Sequence, residues 1–545
     1  MTEPGGVLQR LRDNDIRTVV AAPPGSVPAA LLDQWARHGV RMAASGGPLV
    51  DVWNRAVAEL ISACIHGGGG GAPVLREGGV YRGTWLESTG TISAEVLGRF
   101  LPAVARDTFM LFAERIRDDG LLPYKVTDAG ASYRQIQIVT PLARSVWNHA
   151  ALTGDTALLG AMYVPMARND AWLAAHRDTR RTGCVEAFCT FDTGHDASPR
   201  FWHVPDTTLH EDATAYDPDC PVLPYLAPDL TANVACQRRY LARIARALGE
   251  DATEWLARER HSTRALFDQC YDRADGMFYD RDRTGAFVRV QSDVLLRVLA
   301  CEIGDAGLFE AAARRYLLNS RKFFARYPFT SLAMDDPRFD HDWARNSWAG
   351  PTNFLSLLRA PHAFEHHGHH VELSWALHSV LGAVARMTRF PQTLHPWTGE
   401  QGFTEQYSPA ILWTLDAIER LAGILPRPEG EVWCTALTPA GMDYAIGYAR
   451  IIDATEYEFV HDGSGAVLYR DGELHANFPH GWRLVTDRAG QVRAIVGMSA
   501  RPIAGTLATQ RFRVDLRVAG NERVELDASG EVVARTAVGV VRPST

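Results

Sequence analysis

Apolar residues recur at helical spacing through the middle of the chain, from about residue 50 to about residue 425. After Pro102 they fall at i, i+3, i+4 and i+7: Phe109, Phe112, Ala113 and Ile116. Gly120 supplies a stop to this helix. A second stripe follows Asp229, a candidate N-cap, and a third covers residues 374–388. Because no apolar strands lie between these stripes, the pattern predicts an all-helical array and not a βαβ fold.

The pattern changes after about residue 430 to short alternating segments with turn dipeptides such as Asp471-Gly472 and Ser529-Gly530. These segments predict a small β domain of the sandwich type. In the first fifty residues we predict a strand at 18–22 and a loop at 23–28. The chain is therefore divided into an N-terminal extension (1–50), a mainly α catalytic domain (51–428) and a β-sandwich domain (429–545).

The composition is that of an ordinary globular protein, with 46% hydrophobic and 22% charged residues. A formal net charge of -8 argues against binding to nucleic acid or to anionic lipid, and it favours a neutral ligand. Residues 1–13 lack the apolar core of a secretory signal, and no stretch reaches membrane-spanning length. We therefore predict a cytoplasmic protein with no membrane partner, whose oligomeric state the sequence leaves open.

The cysteines and histidines do not follow the spacing of a known metal site. The eight cysteines are scattered without a CxxC pair, which indicates buried free thiols. Five histidines cluster in one stretch: His362, His366, His367, His369 and His370. The HExxH pattern of a zinc hydrolase is absent there, so we favour a histidine cluster at the surface or at a pocket rim. We expect neither a metal nor an organic cofactor.

The segment from Phe191 to Phe201 has the sequence FDTGHDASPRF and concentrates two acids, a histidine and an arginine among turn formers. This composition suits a polar loop at the mouth of a pocket. On residue types alone, a solvated Asx-turn is the alternative. The segment contains the pattern Gly-x-Asp-x-Ser-x-Arg, in which the aspartate is Asp196 and the arginine is Arg200.

This pattern resembles the general-acid loop of trehalases and of glycoside hydrolase family 63, which includes mannosyl-oligosaccharide glucosidases and mannosylglycerate hydrolases. The resemblance implies that Asp196 is the catalytic acid. Further blocks resemble the family in the same order: YRGTWLES from Tyr81, SYRQIQ from Ser132, and WARNSWAGPTN from Trp343. In the first block, Glu87 stands where the family has aspartate, and the spacing of the third block differs from that of the family.

The sugar-binding residues that the resemblance implies are Tyr81, Arg82, Trp85, Glu87, Tyr133, Arg134, Gln137, His195, Arg200, Trp343, Arg345, Trp348, Asn353, Glu400 and Tyr407. Indole faces stack on the apolar side of a pyranose, while Arg and Asn side chains bind hydroxyls. A packed aromatic core is the alternative for the tryptophan block. The second catalytic carboxylate is expected in TGEQGFTEQYSP, where Glu405 matches the family's Glu-x-Tyr best and Glu400 is the rival.

The resemblance implies an (α/α)6 toroid that hydrolyses a small α-linked glycoside or oligosaccharide from its end, with inversion. Asp196 would be the general acid and Glu405 the general base, standing about 6.5–9.5 Å apart. A donor at neutral pH needs a raised pKa, which burial or a nearby carboxylate such as Asp192 would supply to Asp196. Two alternatives stay open: an epimerase or lyase on the same toroid, and an inactive sugar-binding protein. The sugar and the linkage are not readable from the sequence.

Overall fold

The computed structural model describes residues 4–20, 29–67, 71–439 and 444–545. These residues form fifteen α-helices: α1 (Pro4–Asp13), α2 (Ile16–Val19), α3 (Ala29–Arg37), α4 (Leu49–Ala63), α5 (Ala94–Leu97), α6 (Pro102–Ala113), α7 (Leu142–Thr153), α8 (Thr156–His176), α9 (Pro228–Ala247), α10 (Thr253–Cys270), α11 (Val294–Leu299), α12 (Ala306–Ala312), α13 (Phe354–His366), α14 (His370–Val384) and α15 (Ser408–Ala422). Two π-helical turns, Thr89–Ser93 and Ala313–Leu317, adjoin α5 and α12. The helical stretch that the sequence predicted is confirmed.

Alternate helices of this stretch contact one another in a closed series. Helix α5 contacts α7, α7 contacts α9, and the series continues through α11, α13 and α15 back to α5. Helices α4, α6, α8, α10 and α14 each pack against one or two members of the series. Helix α9 is buried along most of its length, whereas α10 is buried at only a few positions, as expected for an inner and an outer helix. The long loops therefore gather at the ends of the ring.

Local chemistry accounts for the boundaries that differ from the sequence prediction. Asp229, expected as the N-cap of α9, lies inside its first turn, because Pro228 occupies the first helical position and favours a start there. Helix α6 starts at Pro102 as expected but ends at Ala113, before Ile116. Helix α14 lies about four residues upstream of the predicted stripe at 374–388.

The strands are β1 (Arg41–Ala44), β2 (Ile65–Gly67), β3 (Pro73–Leu75), β4 (Thr84–Trp85), β5 (Lys125–Thr127), β6 (Gly130–Ser132), β7 (Glu186–Ala187), β8 (Tyr225–Leu226), β9 (Tyr271–Asp272), β10 (Met277–Phe278), β11 (Asp280–Arg281), β12 (Phe287–Val288), β13 (Thr352–Asn353), β14 (Thr393–Leu394), β15 (Ile424–Pro426), β16 (Glu431–Thr435), β17 (Ile446–Ile452), β18 (Thr455–His461), β19 (Ala466–Arg470), β20 (Glu473–Phe478), β21 (Trp482–Asp487), β22 (Val492–Gly497), β23 (Ile503–Thr509), β24 (Arg513–Val518), β25 (Glu522–Leu526) and β26 (Val532–Ala537). The short strands β2 to β14 pair within the loops of the helical region.

Two antiparallel sheets make up most of the C-terminal region. One has the order β1-β17-β18-β19-β20-β23-β24, and the other β15-β16-β21-β22-β25-β26. Strand β15 contacts β17, and β22 and β25 contact β24, so the two sheets lie against each other. The β-rich region therefore takes up a strand at 424–426, upstream of the expected boundary at 429.

The N-terminal segment joins both parts of the molecule. Strand β1 pairs with β17, and Val7 and Leu11 of α1 pack against the same sheet. Trp35 of α3 stacks on Phe100 beside α5, with ring centroids 5.1 Å apart. Over its described residues the strand predicted at 18–22 is wrong, because residues 16–19 are helical and the Asp15 carboxylate caps them by accepting the Arg17 N–H. Residues 21–22 lie outside the described residues. The loop predicted at 23–28 lies outside the described residues.

Two further findings concern the cysteines and the length of the apolar helices. All eight cysteines are buried and free, as the sequence predicted. Among the described helices, none is both long and apolar enough to cross a bilayer.

Candidate active site

The loop that carries Asp196 lies directly over Glu87. Gly194 adopts a φ of +65°, and a Cβ placed on it would lie 2.3 Å from Glu87 Oε2. Ala197 also has a positive φ, so the chain bends sharply on both sides of Asp196. A side chain at position 194 would displace the Glu87 carboxylate and strain the backbone, so glycine here allows the two carboxyl-bearing loops to come this close.

Asp196 is half-buried and is held by the segment 343–348. Asn346 Nδ2 donates to Asp196 Oδ2 at 2.5 Å, and the backbone N–H of Trp348 donates to the Asp196 carbonyl at 3.0 Å. Burial raises the pKa of Asp196 to about 7; the neighbouring Glu87 carboxylate adds to the rise, and the hydrogen bond from Asn346 opposes it. A carboxyl group with this pKa is suited to donate a proton near neutral pH.

The neighbouring carboxylate that raises the pKa of Asp196 most is Glu87 and not Asp192, which the sequence suggested. The Asp192 carboxylate pairs with Arg177 at 2.5 Å and accepts the backbone N–H groups of Ile136 and Phe188. The Arg177 guanidinium neutralises the Asp192 charge. The second carboxylate that raises the Asp196 pKa is instead the exposed Asp206.

His195 and Arg200 belong to a fully buried network beneath the loop. Arg200 donates from all five of its N–H groups: to Asp280 and Asp229 twice each, at 2.7–3.0 Å, and to His195 Nδ1. His195 Nε2 lies 2.7 Å from Asp293 Oδ1, and burial lowers the pKa of this imidazole to about 3. Because these donors are occupied, the structure directs Arg200 to carboxylates and not to the sugar that the resemblance implied.

Of the first substrate block, Tyr81, Trp85 and Glu87 face the site. The Tyr81 and Trp85 rings are 5.6 Å apart and both are half-buried. Gln137 Nε2 donates to Glu87 Oε2 at 2.7 Å, and burial raises the pKa of Glu87. Arg82 is exposed. These rings and the Gln137–Glu87 pair offer a stacking face and hydroxyl partners to a sugar.

The other residues of the second block point elsewhere. The Tyr133 hydroxyl donates to the carbonyl of Arg115 at 2.5 Å. Arg134 Nη1 donates to Glu211 at 2.9 Å in an exposed pair. The structure therefore brings Gln137 to Glu87 but gives Tyr133 and Arg134 protein partners.

In the tryptophan block, residues 343–353, some side chains lie in the core and others lie near the surface. Trp348 is buried against the His195 ring at 4.8 Å and against the Arg297 guanidinium at 4.7 Å. Asn353 is the N-cap of α13, where its Oδ1 accepts the Leu355 N–H at 2.9 Å. Trp348 is thus packed in the core, and Asn353 caps a helix.

Trp343 and Arg345 lie nearer to the surface. Trp343 is half-buried with its ring 4.5 Å from that of His395. Arg345 is exposed and pairs with Asp342 at 2.5 Å. Trp343 retains a face that a sugar could use, whereas the Arg345 charge is engaged by its neighbour.

The loop that carries Glu405 packs on the Tyr81 turn and on the tryptophan block. The Val80 N–H donates to Thr404 Oγ1 at 3.1 Å, and the Phe403 N–H donates to the Trp343 carbonyl at 2.8 Å. Glu405 itself is exposed. The candidate acid and the candidate base therefore lie on loops that are both anchored to residues 343–348.

Two other residues of this loop have different surroundings. Glu400 is exposed, and its carbonyl accepts the His395 N–H. Tyr407 is buried, with its hydroxyl against Glu77. Burial raises the pKa of Glu77 to about 7. The Tyr407 ring packs against that of Tyr81, with centroids 5.9 Å apart.

Sequence reasoning missed Asn346 and Gln392. Asn346 lies within the tryptophan block and contacts Asp196, but the family pattern gave it no role. The Gln392 amide joins Asn346 to the Tyr81 hydroxyl. No motif marks Gln392, so only the three-dimensional structure identifies it.

The histidine cluster is distributed over separate partners. His362 lies 3.2 Å from Glu95, His369 pairs with Glu372, and His370 lies 3.1 Å from Arg483. Across 4–20, 29–67, 71–439 and 444–545, no group of three or more His, Cys, Asp or Glu side chains is arranged to hold a metal ion.

The loops of this helical ring gather carboxyl groups, amides and half-exposed aromatic rings, and the family profile that matches the chain is that of a glycoside hydrolase domain. The chain belongs to the mannosylglycerate hydrolase MGH1-like glycoside hydrolase family, whose profile matches residues 81–411, more than half of its length. No protein of curated function matches the chain.

Solved structures share the fold at low sequence identity. The family 63 mannosylglycerate hydrolase of Thermus thermophilus, solved with Tris and D-glycerate, aligns with a TM-score of 0.54 and 18% identity over 68% of this chain and 98% of that one. A sialidase aligns with a TM-score of 0.62 and 12% identity over 89% and 44% of the two chains. The family 78 rhamnosidase of a Bacillus species aligns with a TM-score of 0.53 and 12% identity over 77% of this chain and 40% of that one.

Proposed function

We propose that the protein is an inverting, exo-acting glycoside hydrolase for a small α-linked glycoside or oligosaccharide, with Asp196 as general acid and Glu405 as general base. The observation that carries the proposal is the environment of Asp196: half-buried, hydrogen-bonded at one oxygen, with a pKa raised to about 7. Membership of a glycoside hydrolase family supports the reaction class. Asp196 would protonate the glycosidic oxygen as the bond to the anomeric carbon breaks.

Glu405 suits the second role because it is exposed to the water that a general base must activate. In an inverting enzyme this water attacks from the face of the sugar opposite the leaving group. Tyr81, Trp85 and Gln137 would bind the sugar between the two carboxyl groups. The half-exposed Trp343 would extend this surface.

The architecture belongs to the same proposal. The closed series of inner helices supports an (α/α)6 toroid with the site at one end of its ring. The two facing antiparallel sheets support a β-sandwich over 429–545, which also takes up β1 and β15. In this arrangement residues 51–428 form the catalytic domain.

The surroundings of His195 disfavour this residue as the base of an epimerase or lyase. These reactions abstract a proton from carbon and rely on a His or Tyr base. His195 is fully buried, its Nδ1 accepts a hydrogen bond from Arg200, and its Nε2 lies 2.7 Å from Asp293 Oδ1. Hydrolysis by two carboxyl groups needs no such base.

The direct test is turnover on a panel of α-glucosides, α-mannosides and disaccharides, with the released anomer followed by NMR. We expect the inverted anomer. Retention of configuration would exclude the inverting mechanism. Absence of turnover on every substrate would favour the inactive sugar-binding protein.

The base is assigned by comparing Glu405→Gln with Glu400→Gln. We expect Glu405→Gln to lower kcat by about 10²–10⁴-fold, because the amide cannot accept a proton from water. Glu400→Gln, in the same loop and also exposed, is the matched control and should stay within a few-fold of wild type. The reverse order of effects would assign the base to Glu400.

The pH dependence tests the influence of Glu87 on Asp196. The acid must be protonated to act, so activity should fall as pH rises through the Asp196 pKa of about 7. Glu87→Gln removes a negative charge that raises this pKa, and the alkaline limb of the kcat/KM profile should therefore move to lower pH. Glu114→Gln, at an exposed position, should leave the limb in place. A limb that stays fixed in Glu87→Gln would refute the coupling.

A further inference from the structure

Three side chains connect the wall of the sugar site to Asp196. The Tyr81 hydroxyl donates to Gln392 Oε1 at 2.8 Å. Gln392 Nε2 donates to Asn346 Oδ1 at 3.2 Å, and Asn346 Nδ2 donates to Asp196 Oδ2 at 2.5 Å. The four groups form a continuous chain of hydrogen bonds with one direction.

The direction of this chain determines which oxygen of Asp196 carries its proton. An amide accepts at its oxygen and donates from its nitrogen. Because Tyr81 donates to the first amide, both amides present their N–H groups towards Asp196. Oδ2 then accepts a hydrogen bond from Asn346 and has no position along that bond for a proton. In a protonated carboxyl the carbonyl oxygen is the better acceptor and the hydroxyl oxygen carries the proton, so an N–H aimed at Oδ2 favours the proton on Oδ1.

We propose that Tyr81, Gln392 and Asn346 are positioning residues that reserve Asp196 Oδ2 as an acceptor, so that Oδ1 delivers the proton to the leaving oxygen. This inference rests on the proposed function of Asp196 as general acid. It assigns a role to two amides that the family pattern left without one, and a second role to Tyr81.

We call the side chains of Tyr81, Gln392 and Asn346 the relay. Backbone contacts from several loops hold it in place. The Gln392 N–H donates to the Phe403 carbonyl at 2.8 Å, and the Gln392 carbonyl accepts the Phe354 N–H at 3.0 Å. The Tyr81 ring packs against Trp85, Phe403 and Tyr407 at centroid distances of 5.6–6.4 Å. A relay fixed in this way keeps one orientation of Asp196 while the substrate binds.

If the chain of hydrogen bonds ran in the opposite direction, the expected shift in the Asp196 pKa would have the opposite sign. If Asp196 carried its proton on Oδ2 and donated to Asn346, loss of the amide would destabilise the protonated form and lower the pKa of Asp196. In the proposed polarity, Asn346 stabilises the ionised form, and its loss raises this pKa. The charged groups that also face Asp196 are Glu87, Asp206 and Arg297, and none of them changes in this comparison.

The experiment measures the titration of the Asp196 carboxyl by 13C NMR, on protein labelled at the aspartate side-chain carboxyl. The signal is assigned by its loss in Asp196→Asn. The variants are Asn346→Leu, which keeps the side-chain volume, and Tyr81→Phe, which removes only the hydroxyl. Gln401→Leu is the matched control, because its amide bonds Thr388 and lies outside the relay.

We expect the Asp196 titration to move up by about one pH unit in Asn346→Leu, as for loss of one hydrogen bond to a charged group, and by less in Tyr81→Phe. The alkaline limb of kcat/KM should move in the same direction, and Gln401→Leu should change neither readout. A downward shift, or no shift, would overturn the relay. If Asn346→Leu does not fold, the sign of the Tyr81→Phe shift decides the question.

Failure of the proposed function gives a different result. Full turnover in Asp196→Asn would exclude Asp196 as the acid, whatever its titration shows. Loss of turnover in Asp196→Asn together with an unmoved titration in both relay variants would retain the acid and exclude the relay.

Discussion

Asp196→Asn is expected to lower kcat by about 10²–10⁴-fold or more, the usual contribution of a general acid. The amide has nearly the shape of the carboxyl, and its oxygen can still accept from Asn346, so the loop should keep its conformation. What it loses is the transferable proton. The measurement is kcat on the best substrate of the panel, together with the midpoint of thermal unfolding, which should be close to that of wild type.

Asp206→Asn is the control for this variant. Asp206 is exposed and adds to the raised pKa of Asp196 by charge alone. Its loss should leave kcat near wild type and move the alkaline limb slightly to lower pH. Undiminished turnover in Asp196→Asn would remove the assignment, and a collapse in Asp206→Asn alone would transfer it to Asp206.

Arg200→Ala is expected to lower the free energy of unfolding by about 3–5 kcal/mol, because it leaves buried carboxylates without their partner. Asp229 and Asp280 are each within 3.0 Å of the guanidinium, and all three groups are almost fully buried. Urea unfolding followed by circular dichroism would measure the loss. The effect should appear without any ligand.

The matched control is Arg345→Ala, which removes an exposed arginine paired with Asp342. Exposed pairs contribute about 0.2–1 kcal/mol, so this variant should unfold close to wild type. If Arg200→Ala were as stable as wild type but inactive, Arg200 would be a substrate ligand after all, as the family resemblance implied.

Periodicity predicted the helical region because burial of one face is a local property of the sequence. The boundaries depended on details that periodicity does not contain. Asp229 has the residue type of an N-cap and stands near the start of α9, yet its carboxylate binds Arg200, 29 residues upstream. A partner that distant leaves no trace in a hydrophobic pattern.

The site shows the same division. The motif around Asp196 is a short run of consecutive residues, so resemblance to the family could locate it in the sequence. Asn346 lies 150 residues from Asp196, and Gln392 lies 46 residues from Asn346. Their roles arise from hydrogen bonds across loops. Arg200 lies inside the motif, but only the structure shows that its donors are occupied.

The pairing of β1 with β17 affects how the chain can be made. Arg41 lies opposite Ala449, so β1 is synthesised roughly 400 residues before its partner. At about 5–20 residues per second, the partner strand follows tens of seconds later. During that time β1 presents an unpaired strand edge, which neighbouring nascent chains can bind. The pairing of β1 can therefore form only late in synthesis, and crowded synthesis should favour aggregation through this strand.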